Sequence, residues 1–424
     1  PPMLYQLFTW LNQEFNLPGA GMFQFLTFRI AMAVLLSLII ATVFGKKLIE
    51  FLQKKQIGET VRELGLQGEE QKKGTPTMGG FIILLGILIP TLLFANLDKV
   101  YIKLLLLSTI WLGLVGFVDD YLKLRSKRMA QRQGVNYKKG DKDGLAGWFK
   151  VLGQVGLGVI ISATLLFNDN VKVMREYKGK VKPANAIEVK YQGGVRYFVK
   201  ANEPVTTIPF IKDHEFNYAK LLPASLRSYG WVVYMLVIIF IVTAVSNGAN
   251  ITDGLDGLAT GVSALIGACL ALFTYASGNL IFADYLNIMY IPNLGEVSVF
   301  IAAMIGACIG FLWYNSYPAQ VFMGDTGSLA LGGIIAALAI IVRKELLIPF
   351  FCAVFLIENL SVVIQVGYFK YTKKKFGEGR RVFLMSPLHH HYQKKGYHES
   401  KIAVRFWIVT LLFVVFAIMS LKMR

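Results

Sequence analysis

At 424 residues, 55% hydrophobic and only 17% charged, the chain is too apolar for a soluble domain and has the composition of an integral membrane protein with many helices. A net charge of +18 would suit nucleic acid, but in a membrane protein excess Lys and Arg belong to loops facing anionic headgroups, so no nucleic acid partner is expected. Cys269, Cys308 and Cys352 all lie in apolar runs, with no disulfide framework or metal spacing, and read as core or lipid-facing residues.

Residues 1–28 carry no Lys or Arg and no small-residue cleavage site. No cleavable signal peptide is therefore expected, and Met3 reads as the natural first residue. A window of about 19 residues places ten candidate spans at 23–44, 79–95, 101–118, 146–167, 229–246, 258–276, 297–313, 328–342, 346–369 and 402–421. The expected fold class is all-α: a polytopic membrane protein of about ten transmembrane helices, forming one domain over residues 1–424. Residues 278–296, polar and aromatic around Pro292, are expected to lie along a membrane surface.

The connections after the odd-numbered spans must share one side of the membrane. They are 45–78, 119–145, the stretch after 246, 314–327 and 370–401, and they hold most of the short-loop Lys and Arg. The positive-inside rule makes that side cytoplasmic and puts both termini outside. The long connection 168–228 then lies outside as a small insert. Within it Ala186–Gln192 and Val195–Lys200 alternate apolar and polar around Gly193-Gly194, which predicts a β-hairpin.

The polar clusters all fall on the side assigned to the cytoplasm. Asn247–Gly257, reading NGANITDGLDG, ends one of the longest apolar runs. Its Asn247, Asn250, Asp253 and Asp256 are spaced three apart, which on a helix keeps neighbours close on a drifting face. Asp119 and Asp120 are expected to end the third span, where adjacent carboxylates call for a nearby cation or serve as a base; solvated helix-end acids are the plainer alternative. Asp325, in FMGDTGS, stands at a helix start that Thr326 and Ser328 can cap; it is either a cap itself or a metal ligand beside a phosphate-attracting terminus. Asn315 and Phe322 offer an amide and an aromatic face to a base ring. His389, His390 and His391 are too close in sequence to chelate one metal well, but can donate to phosphate. Lys72 and Thr77, in KKGTPTMGG, add donors.

Carboxylates with Mg²⁺ and cationic donors are the equipment of phosphoryl transfer. The chain has no P-loop or dinucleotide fingerprint, and an apolar bundle with a polar site at its surface suits a lipid-borne phosphate. An ion-coupled transporter would place its acids near mid-helix and show symmetry between halves, and neither is evident.

GTPTMGG, GFVDDYLK, NITDGLDGLA, YPAQVFMGDTGSLALGG and MSPLHHHY, in this order, closely resemble the bacterial phospho-N-acetylmuramoyl-pentapeptide transferases of the polyprenyl-phosphate N-acetylhexosamine-1-phosphate transferase superfamily. The resemblance covers nearly the whole chain apart from the outer insert, which is longer than usual for the family. It implies transfer of phospho-MurNAc-pentapeptide from UDP-MurNAc-pentapeptide to undecaprenyl phosphate, giving lipid I and UMP with Mg²⁺. It also implies ten transmembrane helices in the bacterial cytoplasmic membrane, membrane lipid around them, and a homodimer. Residue by residue, it makes Asp325 the Mg²⁺ ligand and Asp119 and Asp120 the paired acids, with Asp119 as base or nucleophile and His390 counted among the catalytic residues. Asn250, Asp253 and Asp256 match the loop shaping the nucleotide and metal pocket. Lys123, Asn315 and Phe322 match uracil-pocket positions, and Lys72, Thr77, His389 and His391 match donors around the substrate. The nearest rival, a relative that transfers phospho-GlcNAc, is disfavoured by the MSPLHHHY run.

Overall fold

The computed structural model describes residues 3–15, 19–55, 74–132, 144–171, 173–177, 186–191, 194–201, 203–211 and 215–423. Helix α1 (Met3–Phe15) precedes α2 (Leu26–Ile39), which continues through one π-helical turn into α3 (Gly45–Lys54). Then come α4 (Gly80–Phe94), α5 (Val100–Arg132), α6 (Gly147–Phe167), α7 (Gly230–Thr252) and α8 (Leu258–Gly278). After the short α9 (Leu280–Leu286) follow α10 (Gly295–Asn315), α11 (Gly324–Ile341) and a single turn, α12 (Ile348–Phe351). Helix α13 (Ala353–Phe376), the short α14 (Leu388–Lys394) and α15 (Glu399–Ser420) complete the chain. Among the described residues, nine helices are long and apolar enough to cross a membrane. The second predicted span is the shorter apolar helix Gly80–Phe94, 15 residues long. Helices are what such runs must form, because lipid offers no partner to backbone polar groups.

The centre of the bundle is α11. Nearly all of its side chains are buried, and α5 and α7 pack along it. Small residues allow that approach. A Cβ on Gly116 of α5 would fall 2.1 Å from the Asp325 carbonyl oxygen, and one on Gly332 of α11 would fall 2.6 Å from Ser246 Cα of α7. Elsewhere α2 is tied to α10 by Arg29, whose two Nη atoms each lie 2.7 Å from a Glu296 carboxylate oxygen. Breaking such a buried pair from one side costs about 3–5 kcal/mol.

Three expectations are corrected. Helix α1 has no counterpart among the predicted spans. Asp119 and Asp120 do not end a helix: α5 runs on to Arg132, so part of the basic run read as loop is helical. Helix α7 stops at Thr252, so Asn247 and Asn250 are helical, while Asp253 is the C-cap and Asp256 follows in the turn; the four do not share a helix face.

The insert is larger than a hairpin. The predicted pair is present as β2 (Ile187–Tyr191) and β3 (Gly194–Ala201), antiparallel with Ile187 opposite Phe198. Its turn, 192–193, lies outside the described residues. Strand β1 (Val173–Glu176) joins the other edge of β3, and β4 (Val205–Thr207) pairs with β5 (Glu215–Asn217). These added strands are only three or four residues long, too short for alternation to show in sequence.

The insert clasps the connection between α11 and α12. Thr207 N–H donates to the Arg343 carbonyl, Lys344 Nζ donates to Thr207 Oγ1 at 2.8 Å, and Tyr218 OH donates to Glu345 at 3.1 Å. Lys344 is fully buried, and burial pushes its amine from 10.5 down to about 7. Between those values the unfolded chain holds a proton that the folded chain lacks. The Lys344 contribution to stability therefore rises with pH across this window, by up to about 1.4 kcal/mol per pH unit. Lys344→Met is expected to remove that rise. Thermal midpoints in detergent from pH 7 to 9 check it, and parallel slopes for parent and variant would show that Lys344 is not the source.

Candidate active site

Three elements bring the acids together. On α5, Asp119, Asp120 and Lys123 share one turn, because α5 stays helical past the apolar segment. Asp325 stands in the first turn of α11, and Asn250 on the last turns of α7. Asp119, Asp120 and Asp325 each present a carboxylate oxygen within 4.8 Å of the others. Asp119 and Asp120 are buried.

Buried like charges this close repel unless compensated. Lys123 Nζ lies 2.6 Å from Asp119 Oδ2 and 3.3 Å from Asp325 Oδ2. Lys150 of α6 makes a second bridge, at 2.9 Å to Asp119 Oδ2 and 2.5 Å to Asp325 Oδ2. Leu145 N–H donates to Asp119 Oδ1 at 2.7 Å, and Asn250 Nδ2 donates to Asp325 Oδ1 at 3.0 Å and to Ser328 Oγ at 2.9 Å.

Asp120 has a distinct task. Its carboxylate accepts from Asp325 N–H, Thr326 N–H and Thr326 Oγ1, at 3.2, 2.9 and 2.7 Å. It therefore caps α11 from another helix, the role expected of Thr326 and Ser328. Thr326 spends its hydroxyl on Asp120, and Ser328 bonds back to the Gly324 carbonyl. The positive end of α11 stabilises the cluster further.

The other predicted residues divide between two neighbourhoods. Thr77 belongs with the acids: a Cβ on Gly324 would fall 2.7 Å from Asp120 Oδ2 and 3.1 Å from Thr77 Oγ1. Phe322 N–H donates to Pro76 O and Gly79 N–H to Phe322 O, so 76–79 is laced to 322. Asp256 Oδ2 accepts from Ala319 N–H at 2.9 Å, and Asp256 N–H donates to Glu399 at 2.7 Å. Asn315 is buried. Its Oδ1 accepts from Gly257 N–H and Thr260 Oγ1, and its Nδ2 donates to Val321 O, so the amide knits the chain around the site. His389 is buried against Gly254, while His390 and His391 are half-buried. Asp253 is the C-cap of α7. Lys72 lies outside the described residues.

The donor set fits a small hard cation. Opposite ligands of an octahedral Mg²⁺ stand about 4.2 Å apart, close to the spread of the three carboxylates. Formally, three carboxylates against two lysines leave one negative charge for a cation to meet.

Residues 102–343 match the family described as Glycosyl transferase family 4. The chain is 58% identical to the phospho-N-acetylmuramoyl-pentapeptide-transferase of Flavobacterium psychrophilum, 56% to that of Flavobacterium johnsoniae and 53% to that of Amoebophilus asiaticus. Each match covers 100% of both chains, so the insert at 168–228 lies within the matched length.

The chain belongs to the phospho-N-acetylmuramoyl-pentapeptide-transferase family.

Three residues that the sequence does not single out contact the predicted ones: Lys150 reaches Asp119 and Asp325, Glu399 accepts from Asp256 N–H, and Glu358 accepts from Leu388 and His389 N–H. Lys150 carried a signal, since a lysine inside an apolar span is costly and needs a partner. Glu399 and Glu358 stand in or beside predicted spans with no motif around them. Because Lys150 bridges two of the acids, Lys150→Met is expected to lower turnover by about 10²-fold, the scale for one lost charge-stabilising donor. UMP release per folded enzyme checks it, and full activity would remove Lys150 from the site.

Proposed function

We propose that this transferase moves phospho-MurNAc-pentapeptide from UDP-MurNAc-pentapeptide to undecaprenyl phosphate, forming lipid I and UMP. The observation that carries the reading is the cluster of Asp119, Asp120 and Asp325 bridged by Lys123 and Lys150 beside the N-terminus of α11 in a bundle of apolar helices, where a lipid-borne phosphate can meet a soluble nucleotide. The names of the relatives supply the substrates. The basic connections and the odd-span parity support a cytoplasmic site in the bacterial inner membrane, outer termini and ten crossings with α4 included. A homodimer remains part of this reading by family likeness.

Asp325 is the proposed Mg²⁺ ligand, with carboxylate oxygens of Asp119 and Asp120 within 4.8 Å. Bound there, Mg²⁺ would neutralise the donor pyrophosphate. Lys123 and Lys150, held on the carboxylates, present positive charge to the same group. Thr77, Asn250, Asp253, Asp256, Asn315, Phe322, His389 and His391 shape the donor site, Phe322 offering its ring to the base, and His390 stands among the catalytic residues. Lys72 is retained as a donor-binding residue on sequence alone. In the favoured single displacement, an acceptor phosphate oxygen bonds to the β-phosphorus of the donor as the bond to the bridging oxygen breaks, and UMP leaves with that oxygen. Asp119 removes any proton remaining on the acceptor. A lipid phosphate is largely ionised at neutral pH, so alignment is the main requirement.

Purified protein supplied with UDP-MurNAc-pentapeptide, undecaprenyl phosphate and Mg²⁺ is expected to release UMP, to stop when EDTA is added, and to lose at least about 10²-fold in Asp325→Asn. UDP-GlcNAc as the better donor would move the assignment to the phospho-GlcNAc relative. Rapid exchange of labelled UMP into the donor without lipid would favour a covalent double displacement.

A further inference from the structure

The segment 382–391, which carries the three histidines, is held from one side by α13. Gln365 Oε1 accepts from Val382 N–H at 3.0 Å and Phe383 N–H at 2.9 Å, and its Nε2 donates to Phe383 O at 3.1 Å. Two helical turns earlier on the same face, Glu358 accepts from Leu388 N–H at 2.8 Å and His389 N–H at 3.2 Å. Glu358 and His389 are both fully buried. The imidazole Nδ1 lies 3.1 Å from Glu358 Oε2 without an aligned hydrogen bond, and Nε2 has no hydrogen-bond partner.

On its far side the ring presses on Gly254. A Cβ there would fall 2.2 Å from His389 Nε2 and 2.8 Å from Cε1, so only glycine fits. Gly254 sits in the turn between Asp253 and Asp256, which continues from the helix whose Asn250 holds Asp325. His389 is thus a wedge between α13 and the acid-bearing turn. A buried imidazole with two unbonded nitrogens is costly to keep, so its pose must be imposed from outside.

We propose that Glu358, seconded by Gln365, is a positioning residue for the donor site: it fixes the wedge His389 against Gly254 and so sets where His390 and His391 stand relative to the Asp253–Asp256 turn. His389 acts as a spacer in this arrangement, and the half-buried His390 and His391 are the members that meet the donor. The proposal rests on the donor-binding role given to this segment above.

The test compares kcat and KM for donor and acceptor in the full-length protein in detergent. Glu358→Gln, Gln365→Leu and Gly254→Ala are each expected to raise the KM for UDP-MurNAc-pentapeptide about tenfold, leaving the KM for undecaprenyl phosphate unchanged. In a His389→Ala background, Gly254→Ala should add nothing, because the collision it creates is gone. Additive effects of Gly254→Ala and His389→Ala, an equal rise in acceptor KM, or a lowered thermal midpoint with both KM values unchanged would each overturn the proposal. Failure of the parent protein to release UMP overturns the donor reading and this inference with it; parent activity with additive variants overturns this inference alone.

Discussion

The constraint on which the rest depends is the confinement of three carboxylates at the buried N-terminus of α11. Placing Asp119, Asp120 and Asp325 within 4.8 Å of one another is unfavourable in a low-dielectric interior, and each neighbouring feature offsets part of that cost. Asp120 turns its charge to use as the cap that α11 lacks from its own residues. Lys123 and Lys150 bridge Asp119 and Asp325 from two different helices, and Asn250 adds a donor from a third. The close approach at Gly116 belongs to the same arrangement, since any side chain there would push α5 away from Asp325. Four helices meet where the charge is, and each brings a group that the charge requires.

That requirement explains the length of α5. Asp119, Asp120 and Lys123 act together only if they hang from one helical turn, at i,i+3 and i,i+4 spacing, so the helix must continue past its apolar part. Opposite-sign side chains on this extension supply one another's compensation, which an irregular loop could not do with the same precision of placement. The same logic accounts for Lys150. A lysine in an apolar helix is unfavourable alone, and here its ammonium reaches two carboxylates.

Much of this was legible in the sequence, and the gaps have physical causes. Most spans emerged within a few residues because hydropathy is set by lipid, although α5 runs 14 residues past the expected end of its span and α13 seven past its own, and the hairpin of the insert emerged from its period-two alternation. Asp119, Asp120 and Asp325, grouped in the sequence by the connections they belong to, do come together in the fold. What did not show was anything depending on partners distant in sequence. That Asp120 caps α11 across 205 residues, or that Asn315 spends its amide on the chain at 257, 260 and 321, is a property of packing and leaves no local pattern. The Asn247–Gly257 stretch follows a span expected to end at 246, yet α7 continues through Asn247 and Asn250 to Thr252, and the chain turns only where glycines at 254 and 257 and the fit of His389 against the backbone allow it. The opening helix Met3–Phe15 leaves no span or signal pattern in the sequence, because its 13 residues are too short to cross a membrane.

The charge count at the cluster also bears on what a divalent cation would add to the proposed chemistry. With Lys123 and Lys150 both engaged, the five groups carry one formal negative charge, which would repel the pyrophosphate of a nucleotide donor. A divalent cation added to the same groups turns that to one positive, and the lysines then reinforce the attraction instead of merely balancing the acids. Removing either lysine would leave a site that is neutral even when loaded. The second lysine thus separates a site that tolerates its carboxylates from one that draws in a polyanion, and it is supplied by α6, the helix whose sequence gave the fewest signs of belonging to the site.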